Sequence, residues 1–358
     1  SAAGEIKTKP TQHSVKKLME SGLNADIIVC RTEHKLSSDL RKKIALFCNV
    51  DVKSVIESID AKTIYDVPLL MLKEKLDKVV LKKLKIKSKI KVDLSQWKKF
   101  VFNLKNPKNE VSIGLIGKYV ELQDSYKSIL ESFIHAGSVN SVKVNVHPIH
   151  SESIDKTNVK SLMSNLDGVL VAPGFGERGI DGKIISIQYA RVNNIPFLGI
   201  CLGMQMAVIE YARNVVGLKN ANSTEMDSDT KYPVISLMED QVNVEKKGGT
   251  MRLGSWKCEI SKGTLTHDIY KKNVIKERHR HRYELNFNYI ESLTKSGMVF
   301  CGKNPETDLV EIIELPNHSW FIGVQFHPEY QSTVDKPHPL FKSFIKAATN
   351  KKRTYGRK

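Results

Sequence analysis

The chain has 358 residues, of which 41% are hydrophobic and 27% are charged, and these proportions are ordinary for a soluble globular protein. The length exceeds what one hydrophobic core usually organises, so we expect two domains. The sequence contains no run of eighteen apolar residues and no charged-then-apolar leader. We therefore expect a cytoplasmic protein rather than a membrane or secreted one.

Net charge and cysteine content indicate which kinds of partner and which redox environment the protein has. A formal net charge of +17 raises the question of a polyanionic partner. Much of the excess lies in residues 73–91, where nine lysines accompany two acids and few aromatics; we interpret this segment as a solvated face and expect no nucleic-acid partner. The five cysteines are an odd number and widely spaced, which favours reduced thiols over a disulfide framework.

Helix and strand patterns alternate through the first part of the chain. A helical stretch stops at Gly22, the apolar run ADIIVCR predicts a buried strand, and DLRKKIALFCNV predicts a second helix. Such alternation is typical of the end of a parallel α/β sheet. Residues 92–110 become polar and close on NPKNE, which indicates a linker between two domains.

From residue 111 the strand and helix pattern starts again. Gly137 is predicted to end the first helix of this part. The repeated alternation predicts an α/β fold with a doubly wound parallel sheet, whose ligands bind at the carboxyl ends of the strands. Two glycine-rich segments, 173–179 and 199–203, follow predicted strands at that edge. The predicted strands are VSIGLIGKY, SVKVNVHPI, DGVLVAPGFG and IPFLGICLG.

Cys201 is the candidate nucleophile. It lies between Gly199 and Gly203, at the end of an apolar strand and the start of a helix. This G-x-C-x-G pattern is the thiol version of a nucleophile elbow, a strained turn in which flanking glycines avoid clashes. The helix N-terminus should also lower the thiol pKa, because oriented N–H groups favour the thiolate.

A thiolate nucleophile needs a base, and QFHPEY offers His327 with Glu329 two residues further on. In an extended segment these two side chains share a face, so the carboxylate can orient the imidazole and stabilise its charged form. An H-x-E pair means little alone, but together with the elbow it predicts a catalytic triad.

The run GICLGMQ, together with the downstream HPE, resembles the class I (triad) glutamine amidotransferases. The resemblance implies that Cys201 attacks the side-chain amide of glutamine and forms a glutamyl thioester. It also implies that His327 protonates the departing ammonia and then activates water, while Glu329 orients His327. An oxyanion hole would use the N–H groups of Leu202 and Gly174, since Pro173 has none.

The rest of the chain resembles the CTP synthase family. The matching runs, in order, are GEIKTKPTQHSV (4–15), KIALFCNV (43–50), IGLIGKYVELQDSYKSI (113–129), GFGERG (174–179), NIPFLGICLGMQ (194–205), ANSTE (221–225), GGTMRLG (248–254), RHRHRYE (278–284) and QFHPEY (325–330). That family phosphorylates O4 of UTP with ATP, and ammonia from glutamine then displaces the phosphate to give CTP. Residues 1–91 would be the C-terminal part of a P-loop-type α/β synthetase domain, 92–110 a linker, 111–348 the amidotransferase domain and 349–358 a basic tail.

The resemblance also carries over nucleotide contacts. Lys7 and Lys9 would bring point charges to a triphosphate, and Pro10 would stiffen the loop that carries them. Ala61 aligns near an adenine contact, as a weaker match. The residues implied for UTP, or for CTP as feedback inhibitor, are Lys7, Thr8, Lys9, Pro10, Thr11, Gln12 and Lys43.

For glutamine, Glu225 suits the substrate ammonium and Arg282 its carboxylate. The full set that the resemblance implies is Gly174, Leu202, Gly203, Met204, Gln205, Glu225 and Arg282. GTP would be the allosteric activator, with Arg178 and Arg252 as contacts in a lid. His279 and His281 are only two residues apart, but no third ligand is indicated, so we expect no metal site in this chain.

The family normally carries a P-loop and acidic Mg²⁺ ligands before KTKPTQ, and no GxxxxGK[ST] run occurs in these 358 residues. We therefore expect an N-terminally shortened CTP synthase that shows glutaminase chemistry alone, and a homotetramer for the full-length protein. Two alternatives stay open. One is a stand-alone glutamine amidotransferase or γ-glutamyl hydrolase, against which residues 4–15 and 43–50 argue; the other is a non-catalytic assembly module that uses the basic tail KKRTYGRK.

Overall fold

The computed structural model describes residues 7–237 and 251–355 and divides the chain into two compact units, one up to Val101 and one from Phe102. The described α-helices are α1 (Lys9–Glu20), α2 (Ser38–Phe47), α3 (Val67–Lys73), α4 (Leu76–Lys83), α5 (Ser95–Lys105), α6 (Lys127–Asn140), α7 (Val159–Met163), α8 (Ile180–Val192), α9 (Leu202–Tyr211), α10 (Leu265–Tyr270), α11 (Ile290–Lys295) and α12 (Pro339–Tyr355). The described strands are β1 (Ile28–Thr32), β2 (Val55–Ile59), β3 (Asn109–Gly117), β4 (Val142–His150), β5 (Gly168–Val171), β6 (Phe197–Ile200), β7 (Ala221–Ser223), β8 (Tyr232–Leu237), β9 (Arg252–Ile260), β10 (Val274–His281), β11 (Tyr283–Leu285), β12 (Val299–Lys303), β13 (Val310–Glu314) and β14 (Phe321–Val324).

The first unit contains the parallel pair β1 and β2, in register from Ile28 with Val55. The parallel pairing agrees with the sequence prediction. The predicted burial of β1 is wrong, because Val29 is 51% exposed and only one residue of the strand is buried. A small core joins the two strands to the first two helices and comprises Val15, Ile28, Ile44, Ala45, Cys48 and Val55.

The boundary region differs from the irregular linker that the sequence predicts. The division between the units falls within residues 92–110, but this segment holds helix α5 and the first residues of β3. Apolar residues explain the helix, since Phe100 and Val101 are buried and the Trp97 indole donates to the Tyr65 carbonyl at 2.8 Å. The nine lysines of residues 73–91 are all exposed, as the solvated-face interpretation predicts.

The second unit is built on a nine-stranded sheet in the order β10-β9-β12-β13-β14-β6-β5-β3-β4. The five strands from β14 to β4 run parallel, which confirms the predicted parallel sheet. The other four pair antiparallel, and a separate three-stranded sheet has the order β11-β8-β7. Neither the antiparallel extension nor the small sheet was predicted. Buried apolar clusters cover both faces of the large sheet.

Two helix ends differ from the sequence expectation. Helix α6 does not stop at Gly137 but continues to Asn140, where Ser141 takes the left-handed conformation that ends it. A Cβ on Gly137 would lie 2.7 Å from the Val142 carbonyl oxygen, so this glycine allows the helix to approach β4 closely. Helix α12 extends to Tyr355, so residues 349–355 of the predicted tail continue a helix. Among the described residues, no helix is both long and apolar enough to cross a membrane.

Candidate active site

The parallel arrangement brings four chain segments to one edge of the large sheet. Strands β3, β5, β6 and β14 are successive members of the parallel set, so the residues that follow them leave the same edge. Lys118 follows β3, Ala172 follows β5, Cys201 follows β6 and Gln325 follows β14. The predicted nucleophile and the predicted base therefore leave neighbouring strands.

Cys201 occupies a strained turn between β6 and α9. Its φ of 52° and ψ of −107° lie in a region that residues other than glycine rarely adopt. The backbone holds it there, because the Cys201 N–H donates to the Val324 carbonyl at 2.7 Å and the Cys201 carbonyl accepts from Met204 and Gln205 at 3.0 and 3.2 Å. The side chain is 2% exposed. The structure thus contains the elbow that the sequence predicts.

The two flanking glycines are required by packing. A Cβ on Gly199 would lie 2.8 Å from the Gly203 carbonyl carbon and oxygen. A Cβ on Gly203 would lie 2.3 Å from the carbonyl oxygen of Val171 in β5. Both contacts are with backbone atoms, so neither can be relieved by moving a side chain.

His327 and Glu329 form a buried pair. The His327 Nδ1–H donates to Glu329 Oε1 at 2.8 Å, and the His327 N–H donates to the Arg278 carbonyl at 2.8 Å. The extended geometry expected for the pair is wrong, because residues Pro328–Gln331 form a 3₁₀ turn. The turn still lets the carboxylate reach the ring.

The protonation of His327 depends on two partners. Burial disfavours the charged ring, but hydrogen bonding and charge from Cys201 and Glu329 outweigh it and raise the pKa of His327 to about 11. Nδ1 is bonded to Glu329, and Nε2 has no hydrogen-bond partner among the described residues, so Nε2 is the ring atom available to Cys201. The arrangement favours a positively charged imidazole at His327.

Gln325 is a polar residue of this site that the sequence analysis missed. It is fully buried, and its Nε2 amide lies 3.7 Å from the Cys201 sulfur, which it can donate to. Its Oε1 accepts from Gln205 Nε2 at 3.2 Å, and the same Gln205 amide donates to the Tyr283 carbonyl at 2.9 Å. The sequence contained a signal for Gln325, because this residue stands two positions before His327 in QFHPEY and would share its face in an extended segment.

The loop after β5 carries the predicted oxyanion donor Gly174. Strands β5 and β6 pair with Val171 opposite Gly199, so this loop lies beside the elbow. A Cβ on Gly174 would lie 3.5 Å from Leu202 Cδ2. The structure therefore brings together the two residues whose N–H groups were predicted to form the oxyanion hole.

Two lysines that the sequence analysis did not select hold this loop. Lys118 Nζ donates to the carbonyl of Gly176 at 2.9 Å and also to that of Phe175. Lys183 Nζ donates to the Ala172 carbonyl at 3.1 Å. Burial, and then repulsion from Lys118, lower the pKa of Lys183 to about 7. A lysine inside the apolar run GKIISI of α8 was the available signal.

The predicted glutamine-binding charges, Glu225 and Arg282, both lie near Tyr283. Glu225 Oε1 accepts from the Gly176 N–H at 2.8 Å. Burial and the Glu225 carboxylate raise the pKa of Tyr283, whereas Arg282 lowers it, so both charges act on this phenol. The remaining predicted residues lie in the first turn of α9 and are buried, namely Gly203, Met204 and Gln205. The side chain of Met204 belongs to the hydrophobic core.

The two predicted lid arginines differ in their surroundings. Arg252 is 7% exposed and bonds Glu284 at 3.3 Å and Glu311 at 2.5 Å. Its guanidinium is therefore paired with two carboxylates, and its role as a nucleotide or lid contact stays a prediction. Arg178 has a 62% exposed side chain and an ion pair with Glu152 at 3.2 Å. Residues 248–250 of the predicted lid lie outside the described residues.

The histidines considered as a metal pair instead bond one another. His279 Nδ1 and His281 Nε2 are 2.8 Å apart, and His279 Nε2 lies 3.5 Å from Glu311 Oε2. Burial and neighbouring positive charge lower the pKa of both rings. Within residues 7–237 and 251–355, no group of three or more His, Cys, Asp or Glu side chains is arranged to hold a metal ion.

The predicted nucleotide-binding residues lie in the first unit. Helix α1 begins at Lys9 with Pro10 in its first turn, so this segment is a helix N-terminus and not the loop that the sequence predicts. Proline suits this position because the first helical N–H groups have no helical partner. Thr8 is buried and accepts from Gln12 Nε2 at 2.9 Å. Lys7, Lys9, Lys43 and Ala61 are exposed.

Two family models match the chain. Residues 121–347 match "Glutamine amidotransferase class-I" and residues 1–86 match "CTP synthase N-terminus". CTP synthase of Christiangramia forsetii is 67% identical over 97% of this chain and 64% of its own length. CTP synthase of Flavobacterium psychrophilum is 66% identical, with 98% and 65% covered. The chain thus spans just under two thirds of the length of these relatives.

One solved structure is similar in both sequence and fold. The glutaminase domain of Trypanosoma brucei CTPS with bound acivicin superposes with a TM-score of 0.64 at 39% sequence identity. The match covers 67% of this chain and 94% of that domain.

Proposed function

This chain belongs to the class I glutamine amidotransferase family, and we propose that it hydrolyses glutamine to glutamate and ammonia as the glutaminase part of a CTP synthase. The observation that carries the proposal is the strained Cys201 elbow beside the buried His327 and Glu329 pair. The CTP synthase assignment rests on relatives that are 52–67% identical over 97–98% of the chain.

The proposed reaction starts from the Cys201 thiolate and the His327 imidazolium. The thiolate attacks the side-chain carbonyl carbon of glutamine, and the N–H groups of Leu202 and Gly174 receive the negative charge on the oxygen. The tetrahedral adduct collapses when His327 gives its proton to the departing nitrogen, which leaves as ammonia. A glutamyl thioester on Cys201 is left.

The second half of the reaction regenerates the enzyme. Neutral His327 takes a proton from a water molecule, and the resulting hydroxide attacks the thioester carbonyl. Glutamate leaves, and the thiolate and imidazolium are restored. Glu329 keeps the ring oriented through its bond to Nδ1 and stabilises the imidazolium that exists before the first half and is restored in the second.

Two opposite charges would recognise the substrate as an amino acid. We assign the glutamine ammonium to Glu225 and its carboxylate to Arg282, because a zwitterion needs both signs at its α-carbon end. Glu225 is already fixed to the glycine loop through Gly176, so binding of the ammonium group would couple to the position of the oxyanion donor.

The ammonia would aminate UTP in the complete protein. We assign the triphosphate of UTP, or of the inhibitor CTP, to residues 7–12 and Lys43, with ATP as the phosphoryl donor near Ala61 and GTP as the activator near Arg178. The described residues offer no cluster of side chains fit for Mg²⁺. We predict that the complete protein is a homotetramer, which light scattering would test. We also predict that this chain alone makes no CTP, which a CTP assay with added ammonia would test.

The proposal is tested by glutamate release from glutamine and by labelling with an electrophilic glutamine analogue. Cys201→Ala should abolish both, because it removes the only nucleophile at the elbow. The control Cys30→Ala removes a half-buried thiol in the first unit and should change neither. Glutamate release by Cys201→Ala at the original rate would refute the mechanism, and an unreactive Cys201 would favour the assembly-module alternative.

A further inference from the structure

Lys183 is a buried cation that the proposed mechanism does not use. It lies in the first turns of α8 with a side chain that is 0% exposed. An ammonium group has three N–H donors, and Lys183 Nζ donates a hydrogen bond to the Ala172 carbonyl. None of the ion pairs between described residues includes Lys183. Since an unpaired buried charge is costly, its position calls for a compensating charge nearby.

The Lys183 ammonium lies against the loop after β5, which carries the predicted oxyanion donor Gly174. Ala172 is the first residue after β5 and precedes Pro173 and Gly174. A Cβ on Gly174 would be 3.7 Å from Lys183 Nζ and 3.5 Å from Leu202 Cδ2. The lysine nitrogen is thus within van der Waals reach of the loop that carries one oxyanion donor, and the side chain of Leu202, which carries the other, packs near the same glycine.

We propose that Lys183 is a positioning residue of the glutaminase site, whose buried positive charge stabilises the Cys201 thiolate and the oxyanion while its hydrogen bond fixes the Ala172 carbonyl. The inference rests on the proposed function. Lys183 acts through the loop and through its electric field, because it bonds the backbone and not a substrate atom. In a site that excludes water, such a charge acts more strongly than it would in solvent.

The groups around Lys183 determine how its charge responds to pH. Lys118, from the end of β3, repels the Lys183 charge, whereas Cys201 and Glu225 attract it. Burial and Arg178 also lower the pKa of Lys118. Two of the other charged groups on α8 and on the elements packed against it are in ion pairs, namely Glu152 with Arg178 and Glu210 with Arg191. The rest are Asp181 on α8, Lys160 on α7 and the exposed Glu110 on β3.

The direction of the pH effect follows from the pKa of Lys183, which is lowered to about 7. Below this value the ammonium is charged and supports the thiolate. As pH rises through it, the charge is lost, whereas the neutral amine still donates a hydrogen bond to Ala172. The pH dependence therefore separates the charge from the structural bond.

The test compares kcat and KM for glutamine hydrolysis from pH 6 to 9 in wild type and Lys183→Met, an unbranched side chain of similar length without charge. We expect kcat/KM to fall about tenfold at pH 6, the size of one neighbouring charge effect. The ratio of wild type to variant should decline by pH 9 to the smaller value that loss of the Ala172 hydrogen bond alone produces. The control Lys351→Met also removes a lysine bonded to a carbonyl, that of Leu166 at 2.6 Å, and should leave the profile unchanged.

A second variant covers the case in which Lys183→Met does not fold. Lys183→Arg keeps the charge but does not titrate in this range, so the variant should lack the alkaline decline that Lys183 imposes on the wild type. A ratio that is constant with pH, or an Arg variant with the wild-type decline, overturns the role of Lys183 while glutaminase activity stands. Wild-type protein that releases no glutamate overturns the proposed function and this inference with it.

Discussion

Replacing Glu329 by glutamine removes the charge beside His327 and keeps the shape of the side chain. The two side chains are 6% and 3% exposed, with the Nδ1 and Oε1 atoms 2.8 Å apart. Removing one partner of a buried ion pair costs about 3–5 kcal/mol, and the amide oxygen can recover about 1 kcal/mol as a neutral hydrogen bond. A net loss of about 3 kcal/mol of imidazolium stabilisation corresponds to a fall in kcat of about 100-fold.

The same variant changes the pH dependence in a defined direction. In the folded protein the pKa of His327 is raised from 6.5 to about 11. The stabilisation it gives to the fold is therefore complete below pH 6.5 and is lost as pH rises through about 11. Without the Glu329 charge the pKa of His327 falls, so the alkaline loss of both activity and stability should begin at a lower pH.

Two measurements test this reasoning. Glutamate release gives kcat across pH, and NMR of ¹³C-labelled histidine follows the protonation of His327. The control Glu277→Gln breaks a similar buried pair, in which Glu277 Oε1 lies 2.9 Å from His338 Nε2, and should reduce thermal stability but not kcat. An unchanged kcat in Glu329→Gln, or an unchanged pKa of His327, would refute the argument.

Three further predictions concern packing, burial and nucleotide binding. Gly203→Ala should lower the free energy of unfolding, measured by denaturant titration, by about 3 kcal/mol, because the new Cβ would lie 2.3 Å from the Val171 carbonyl oxygen. The control Gly174→Ala places its Cβ 3.5 Å from the nearest atom and should unfold like wild type. Lys183→Met should raise the melting temperature at pH 7, with a gain of about 4 kcal/mol, because the pKa of the lysine is lowered from 10.5 to about 7 in the folded protein. The unfolded chain binds the extra proton between these two pH values, so the gain shrinks towards pH 10.5; a lower melting temperature would contradict this. Lys43→Ala should weaken UTP binding about tenfold by calorimetry and leave glutamine hydrolysis unchanged. The control Lys42→Ala replaces an exposed neighbour on α2 and should change neither UTP binding nor glutamine hydrolysis.

Local sequence was sufficient for features that depend on neighbouring residues. The glycines around Cys201 predicted the strained turn, and the turn has the positive φ that such an elbow requires. The apolar runs predicted the parallel strands, because a strand covered on both faces must be apolar throughout. The pairing of His327 with Glu329 was also found from spacing, although a 3₁₀ turn, rather than an extended segment, produces it.

Local sequence was insufficient where a conformation depends on distant contacts. Gly137 was read as a helix end, but it lies inside α6 because the helix packs directly on β4. The linker expected at residues 92–110 contains a helix, since Trp97 and Phe100 are ordered against Tyr65. The sequence also contained no sign that Arg252, predicted as a nucleotide or lid contact, is buried between Glu284 and Glu311.

The sequence by itself determined the family and the glycine elbow around Cys201, the proposed nucleophile, because these depend on short runs of residues that are adjacent in the chain. The tertiary structure alone decided which distant groups surround that nucleophile. Gln325 and Lys183 reach the site from β14 and α8, and their selection depends on the order in which parallel strands meet at one sheet edge. Burial then alters the charge of Lys183, and burial is a property of the assembled sheet and helices that no short stretch of sequence contains.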